Sequence, residues 1–292
     1  MPVVECVIDA HAECGESAIW DAPEAALFWA DIDGNTLFRY DPATDENRAF
    51  DMGEKVGALA IRESGAAIIG TESGIHSYDF ATRTKTQLAD PEADFPGNRF
   101  NDSVTDRDGR FWLGSMSMLK PQPADAAFYR VDADLSVSRQ FDGIYTTNGL
   151  AFSPDGTTLY FSDSYAEVRT IWACDYDRAT GTPSNRRVFF DTRAVAGRPD
   201  GGTVDADGCY WMAGVGGWQM VRLTPEGAVD MVIDMPVERP SKPAFGGPDL
   251  KTMFVTSIGA NQTPGSDQPH AGGLFAITGL PVGGFASVRF RG

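Results

Sequence analysis

The segment Asp155-Gly156-Thr157-Thr158-Leu159-Tyr160-Phe161-Ser162-Asp163 carries the pattern that decides the fold. A turn that ends in Asp-Gly leads into a short, aromatic-rich apolar run, and a second such run, Ile171-Trp172-Ala173-Cys174-Asp175, follows after polar residues. Gly accepts the positive φ that tight turns need, and short runs rich in aromatic and β-branched residues between turns are typical of strands. The segment therefore predicts two consecutive strands that follow a tight turn.

The same unit recurs along the whole chain. Its turns fall at about 21, 64, 108, 155, 207 and 249, a spacing of roughly 42–52 residues. The apolar runs that follow the turns are LFWAD (27–31), AIIG (67–70), FWLG (111–114), LYFSD (159–163), YWMA (210–213) and MFVT (253–256). This spacing is the length of a four-stranded propeller blade. No long helical periodicity separates the strands, which disfavours a parallel βαβ fold. We therefore predict an all-β, six-bladed β-propeller as a single domain over residues 1–292.

The sequence predicts a strand at each end of the chain. These strands are Val3–Ile8 and residues 286–290, and both could belong to one blade. Pairing between them would close the ring and remove an exposed sheet edge. We expect the two termini to meet in this way.

Charge and composition exclude several classes of protein. The net charge of −17 argues against a nucleic-acid partner, because phosphate backbones are bound by clustered Lys and Arg. No apolar run is long enough for a membrane span, and the N-terminus has no signal-peptide pattern. Four cysteines show no CxxC or metal-finger spacing, which favours free thiols in a reducing compartment. A cytoplasmic location is expected, and no obligate protein partner is inferred.

A ring of polar residues breaks the apolar pattern. Seven positions before the turn Asp, four copies of the repeat carry Asn101, Asn148, Asp200 and Lys242. The copy whose turn lies at about 64 matches the repeat less well and has Gly57 at this position. In the first copy, Glu16 stands just before the turn. The first strand of each propeller blade lines the central channel, so equivalent positions converge there. Buried carboxylates need a compensating cation. Oxygen ligands suit Ca²⁺, Mg²⁺ or Mn²⁺, and Zn²⁺ or Fe²⁺ also bind carboxylates. We predict one divalent metal ion of open identity.

Five motifs in order resemble the SMP-30/gluconolactonase/luciferin-regenerating-enzyme family, which includes regucalcin and bacterial sugar lactonases. They are GESAIW (15–20), RFND (99–102) with DRDG (106–109), TNGL (147–150) with SPDG (153–156), RPDG (198–201) and KPAFGG (242–247). The resemblance spans essentially the whole chain. It implies a six-bladed propeller that hydrolyses a sugar lactone with a divalent metal ion.

The resemblance also implies roles for single residues. Glu16, Asn148 and Asp200 would bind the metal, and Asp200 would be the general base. Asn101 would lie beside the metal as a ligand or as a substrate contact, and Arg99 would contact the substrate. Asp102 would either contact the substrate or support the residues that do. Apart from the resemblance, Lys242 is a candidate for stabilising the oxyanion. The loop residues Met118 and Trp218 are candidates for the substrate wall.

Two segments depart from the family and leave the substrate open. The chain has Ser117-Met118-Leu119-Lys120 where the family often carries an acidic or amide residue, and the segment 216–218 also varies. A pentono- or hexonolactone fits, and Arg99 with Arg198 would suit an aldarolactone. The alternatives are an aryl esterase or phosphotriesterase on the same metal site, and a non-catalytic calcium-binding propeller. No G-x-S-x-G motif is present, which disfavours a serine hydrolase.

Overall fold

The computed structural model describes residues 1–292 and consists almost entirely of strands. The first strand of the chain is β1 (Val3–Ile8), and blade one holds β2 (Gly15–Asp21), β3 (Ala26–Asp31), β4 (Thr36–Asp41) and β5 (Glu46–Asp51). Blade two holds β6 (Val56–Ile61), β7 (Ala67–Thr71), β8 (Gly74–Asp79) and β9 (Thr84–Ala89). Blade three holds β10 (Asn98–Thr105), β11 (Phe111–Ser117), β12 (Ala126–Val131) and β13 (Val137–Ile144). Blade four holds β14 (Thr147–Phe152), β15 (Thr158–Asp163), β16 (Thr170–Asp177) and β17 (Thr182–Asp191), followed by a 3₁₀ turn (Thr192–Ala194). Blade five holds β18 (Arg198–Val204), β19 (Tyr210–Val215), β20 (Gln219–Leu223) and β21 (Val229–Asp234). Blade six holds β22 (Pro240–Gly246), β23 (Thr252–Ser257), β24 (Leu274–Thr278) and, from the N-terminus, β1.

The predicted six-bladed propeller is confirmed. Each blade is a four-stranded antiparallel sheet, and the first strands of successive blades contact one another all the way around the ring, from β2 through β22 and back to β2. Each predicted turn is followed by the second strand of a blade. No helix is long and apolar enough to cross a membrane.

The ring closes differently from the prediction. Strand β1 pairs with β24, from Val3 opposite Thr278 to Ile8 opposite Leu274. Residues 286–290 do not form a strand, so the expected pairing of the two termini was wrong. Phe290 instead makes an isolated bridge to Arg62 and is fully buried against Phe111. Strand β1 alone therefore covers the edge of β24.

The aromatic residues that recur in the repeat form the core between blades. Trp29, Trp112 and Trp211 are fully buried, and Trp172 is partly buried against the cluster that contains Trp112. Burial of such side chains supplies the main favourable term in folding. These tryptophans are therefore packing residues and are unavailable to stack on a ligand.

All six channel-lining strands contain a β-bulge at the same height. The pairing register shifts between Glu16 and Ile19, Val56 and Ala58, Phe100 and Asp102, Asn148 and Ala151, Pro199 and Gly202, and Pro240 and Pro243. A bulge bends a strand locally and redirects its side chains. The polar ring predicted from the repeat lies at these bulges, which explains how it interrupts strands that are otherwise apolar.

Candidate metal and substrate site

The predicted polar residues meet at one end of the channel. Glu16, Arg99, Asn101, Asn148 and Asp200 line one cavity of about 360 Å³. They come from blades one, three, four and five, so the site is assembled from residues far apart in sequence. Of the positions counted from the turns, Asn101, Asn148 and Asp200 thus share a cavity with Glu16, whereas Lys242 does not line it.

A chain of hydrogen bonds orients the amide groups of the site. Arg99 donates from Nη1 to Asn101 Oδ1 at 2.7 Å, and Asn101 donates from Nδ2 to Asn148 Oδ1 at 3.1 Å. Asn148 donates from Nδ2 to Ser164 Oγ at 2.7 Å, and Ser164 donates to the carbonyl of Pro199. A carbonyl oxygen has two lone pairs, so Asn148 Oδ1 keeps one for a further partner.

Two carboxylates occupy the cavity floor with little compensation. Glu16 and Asp200 are only 4% and 6% exposed. Ser17 donates its backbone N–H to Glu16 Oε2 at 3.0 Å. No backbone amide, hydroxyl or basic side chain donates to the Asp200 carboxylate, although Arg198 and Lys242 are near enough to act through space.

Burial and neighbouring charges shift the pKa of both acids. Burial, followed by the charges of Asp200 and Asp102, raises the pKa of Glu16 well above its usual range. Burial also raises the pKa of Asp200 to about 7, while the nearby Arg198 charge opposes the shift. Carboxylate oxygens that are buried, close together and short of donors, beside a free amide oxygen lone pair, are the donor set of a hard divalent cation. The residues present fit such an ion, which Glu16, Asn148 and Asp200 would hold.

Asp102 and Lys242 lie beneath this cavity and do not line it. Lys242 Nζ is 2.6 Å from Asp102 Oδ1, and both side chains are buried. Asp102 also accepts backbone N–H groups, from Ser103 at 2.8 Å and Leu150 at 2.8 Å. Lys242 borders a separate cavity of about 80 Å³ at the opposite end of the channel. Their predicted contact with substrate stays a prediction; in the structure they hold the channel strands together below the site.

The two loop residues predicted for the substrate wall also lie outside the cavity lining. Met118 is 40% exposed, directly after β11, and Trp218 is 36% exposed at the tip of the β19–β20 hairpin. Trp218 adopts a φ of +59°, and its N–H donates to Glu238 O, which fixes the hairpin tip beside the rim. Their contact with substrate is a prediction that the structure leaves without support.

Several residues that line the cavity do not stand at the position counted from the turns of the repeat and were not predicted. They include Lys120, Gln122, Tyr165, Arg239 and Ile258. Tyr165 and Ile258 follow the second strand of their blades closely, and Lys120 and Gln122 lie in the loop after β11. In a propeller these strand ends lie at the same face of the ring as the starts of the first strands. Counting forward from the second strand of each blade would have found Lys120, Gln122, Tyr165 and Ile258, whereas Arg239 directly precedes β22, the first strand of blade six.

Four basic side chains surround the acidic floor without an ion pair. Arg99, Lys120, Arg198 and Arg239 all line the cavity. Arg198 donates to Ser164 O at 3.2 Å and Arg239 to Ala260 O at 3.1 Å, and none of the four lies within 4.0 Å of a carboxylate oxygen. The same cavity is lined by the carboxylates of Glu16, Asp200 and Glu238, so the four basic side chains share it with three acidic ones.

Known proteins resemble this chain over nearly its full length. It is 34% identical to regucalcin of Xenopus laevis, covering 99% of this chain and 98% of the relative. It is 35% identical to a 6-deoxy-6-sulfogluconolactonase of Pseudomonas putida, covering 99% of both. Among solved structures, a luciferin-regenerating enzyme superposes with a TM-score of 0.92 at 28% identity, covering 100% of both chains. A calcium-binding regucalcin of Agrobacterium tumefaciens gives a TM-score of 0.91 at 28% identity, covering 99% and 97%. Residues 14–259 match the family described as SMP-30/gluconolactonase/LRE-like region, and the chain belongs to this family.

Proposed function

We propose that this protein hydrolyses a sugar lactone to the sugar acid, using one divalent cation bound by Glu16, Asn148 and Asp200. The observation that carries the proposal is the pair of buried carboxylates, Glu16 and Asp200, with free oxygens on the floor of a cavity that also holds Arg99 and Asn101. The 6-deoxy-6-sulfogluconolactonase of Pseudomonas putida, similar over 99% of this chain, supports the choice of a lactone.

The side chains of the cavity can perform the reaction as follows. The cation, when bound, supplies a Lewis acid that polarises the lactone carbonyl. Asp200 takes a proton from the attacking water, because its buried carboxylate accepts no hydrogen bond from a backbone amide, hydroxyl or basic side chain and so keeps an oxygen free to receive the proton. Water adds to the carbonyl carbon, the bond to the ring oxygen breaks, and the proton passes to that oxygen as it leaves as an alcohol.

Arg99 and Asn101 position the sugar in this scheme. The hydrogen bond between them fixes the guanidinium at the cavity wall, leaving its other N–H groups to donate to substrate hydroxyls. Lys242, paired with Asp102 at 2.6 Å, holds the channel strands together below the floor. Fixed donors that need no rearrangement during the reaction favour the transition state over the bound substrate.

A second candidate substrate is an aldarolactone, which carries a carboxylate in addition to the lactone. The unpaired Arg99, Lys120, Arg198 and Arg239 favour it, because charge-assisted hydrogen bonds to an anion would satisfy them. Lys120 also stands in the segment where the family often has an acidic or amide residue. Neutral pentono- and hexonolactones remain the first candidates for the reaction itself. The positive charges of these four side chains would affect which lactone is preferred.

Proton release by metal-stripped protein tests the proposal. Ca²⁺, Mg²⁺, Mn²⁺, Zn²⁺ and Fe²⁺ are added back singly with a panel of pentono-, hexono- and aldarolactones, corrected for spontaneous opening. We expect turnover only with added ion, and loss of turnover in Glu16→Gln, with Glu5→Gln on the exposed outer strand as the control. Faster turnover of aryl esters or phosphotriesters would favour an esterase. Ion binding without turnover of any substrate would favour a non-catalytic cation-binding propeller.

A further inference from the structure

A second group of metal-ligating side chains lies far from the channel, where the first and last parts of the chain meet. The ligand atoms of Cys6, Asp9 and His270 all lie within 4.8 Å of one another. His270 Nδ1 is 3.3 Å from Asp9 Oδ2, and His11 Nε2 is 3.7 Å from the same oxygen. We infer that Cys6, Asp9 and His270, with His11 or water as the fourth ligand, form a Zn²⁺ site that fastens the N-terminal strand to blade six.

The donor types select the ion. One sulfur, one or two imidazole nitrogens and one carboxylate oxygen form a mixed set typical of tetrahedral Zn²⁺. Bond lengths of about 2.0–2.3 Å place neighbouring ligand atoms of such a site roughly 3.3–3.8 Å apart. The distances from Asp9 to the two histidines fall in or near this range, and Cys6 Sγ lies within 4.8 Å of the ligand atoms of Asp9 and His270. The three residues proposed as ligands in the channel, Glu16, Asn148 and Asp200, donate only oxygen and therefore prefer a different, harder ion.

The backbone around this group is held firmly. Ala12 donates its N–H to Gly272 O at 2.9 Å, and Gly259 donates to Ala12 O at 3.0 Å. Gly273 donates to His270 O at 2.9 Å, and a Cβ on Gly273 would lie 3.0 Å from Cys6 Sγ. The segments that carry His11 and His270 are thus tied together directly, and the glycine leaves room for the thiol to face the cluster. A preformed scaffold lowers the cost of ordering ligands around an ion.

An ion bound at this place would stabilise the attachment of β1 to blade six. Strand β1 is the outermost strand of blade six and is hydrogen-bonded only to β24. Cys6, Asp9 and His11 lie at or just after the end of β1, whereas His270 precedes β24. An ion shared by them joins segments about 260 residues apart in sequence. Because the ligands come together only in the folded chain, the free energy of ion binding stabilises the fold and opposes the peeling away of β1 that would open the ring.

Cobalt is the spectroscopic probe for this site. Metal-stripped full-length protein is titrated with Co²⁺, which absorbs in the near ultraviolet when a thiolate binds it. We expect this absorption in the wild type and in Asp200→Asn, and its loss in Cys6→Ser and His270→Gln. Cys14→Ser is the matched control, because Cys14 borders the channel cavity instead. Circular dichroism establishes that each variant is folded.

A second measurement uses the wild type alone. Saturating Zn²⁺ should slow alkylation of Cys6 at least tenfold, as mapped by peptide mass, and a chelator should restore the rate. Zn²⁺ should also raise the thermal unfolding midpoint of Asp200→Asn but not that of the double variant Cys6→Ser with Asp200→Asn. Absence of the cobalt absorption in the wild type, its persistence in Cys6→Ser, or unchanged alkylation of Cys6 would each overturn the inference.

Discussion

Lys242 on β22 and Asp102 on β10 form an ion pair of 2.6 Å that joins blade six to blade three, across the full width of the channel. The side chains are 6% and 0% exposed. Asp102 also accepts the N–H of Leu150 in blade four, so one carboxylate connects three blades directly under Glu16 and Asp200. The pair therefore closes the floor of the site.

Replacing Lys242 by Met should destabilise the protein by about 3–5 kcal/mol, because it leaves the buried Asp102 carboxylate without a counter-charge. The free energy of unfolding is measured by urea denaturation at neutral pH. Adding Asp102→Asn to Lys242→Met should recover part of the loss, since the uncompensated charge is then removed. Equal stability of Lys242→Met and the wild type would show that the pair contributes little to the fold.

Asp200→Asn should lower kcat for lactone hydrolysis by roughly 10²-fold or more at saturating cation, which is the usual effect of removing a general base. The amide keeps one oxygen for the ion, so binding of the cation, followed by calorimetry, should weaken less than activity. A variant that retained more than about a tenth of wild-type kcat would mean that Asp200 is not the base.

The metal-free protein should lose stability relative to Asp200→Asn as the pH rises from about 4 to about 7. Burial raises the pKa of Asp200 from 3.8 to about 7, so in this window the folded state retains a proton that the unfolded chain has released. The stability that depends on this proton is fully present below the pKa of Asp200 in the unfolded chain. It is lost as the pH rises through the pKa of Asp200 in the folded protein. Chelator-treated proteins are unfolded with urea at several pH values. Parallel stability curves for the two proteins would contradict the assignment.

Gly57→Ala should destabilise the protein by about 1–3 kcal/mol, the usual cost of overpacking, and reduce activity. A Cβ at this position would lie 2.0 Å from Phe100 O and 2.9 Å from Asn101 Cα, so the bulge that carries Asn101 would have to move. Gly53→Ala, where a Cβ meets nothing within 4 Å but φ is +71°, controls for the general effect of losing a glycine. Unfolding and kcat are measured for both, and unaltered activity in Gly57→Ala would show that the bulge tolerates displacement.

Arg239→Gln should lower kcat/KM for an aldarolactone roughly 10–100-fold while changing that for the matched aldonolactone little, because a charge-assisted hydrogen bond contributes about 1.5–3 kcal/mol. Arg48→Gln, on an outer strand of blade one, is the control. Both lactones are assayed at low and high salt, and the preference for the anionic lactone should shrink with added salt. An equal loss with both substrates would assign Arg239 to general positioning instead.

The repeat and the polar ring were predictable from the sequence because each is a local pattern. The Asp-Gly turns and the apolar runs after them determine where strands start and stop, and six copies determine the number of blades. Equivalent positions of a repeat occupy equivalent places in space, so counting residues from the turns is enough to group Glu16, Asn101, Asn148 and Asp200.

The tertiary structure alone decided which residues meet across the ring. Lys242 and Asp102 belong to different copies of the repeat, and their contact depends on the channel diameter and on the bulges, which no local pattern encodes. The partner of β1 was decided in the same way. The apolar pattern of β1 predicts a neighbouring strand, and the sequences of β24 and of residues 286–290 are both compatible with that role. In the structure β1 pairs with β24, whereas Phe290 packs beneath the blades. Local sequence determines which face of a strand is apolar, whereas long-range pairing depends on the total contact that each arrangement buries.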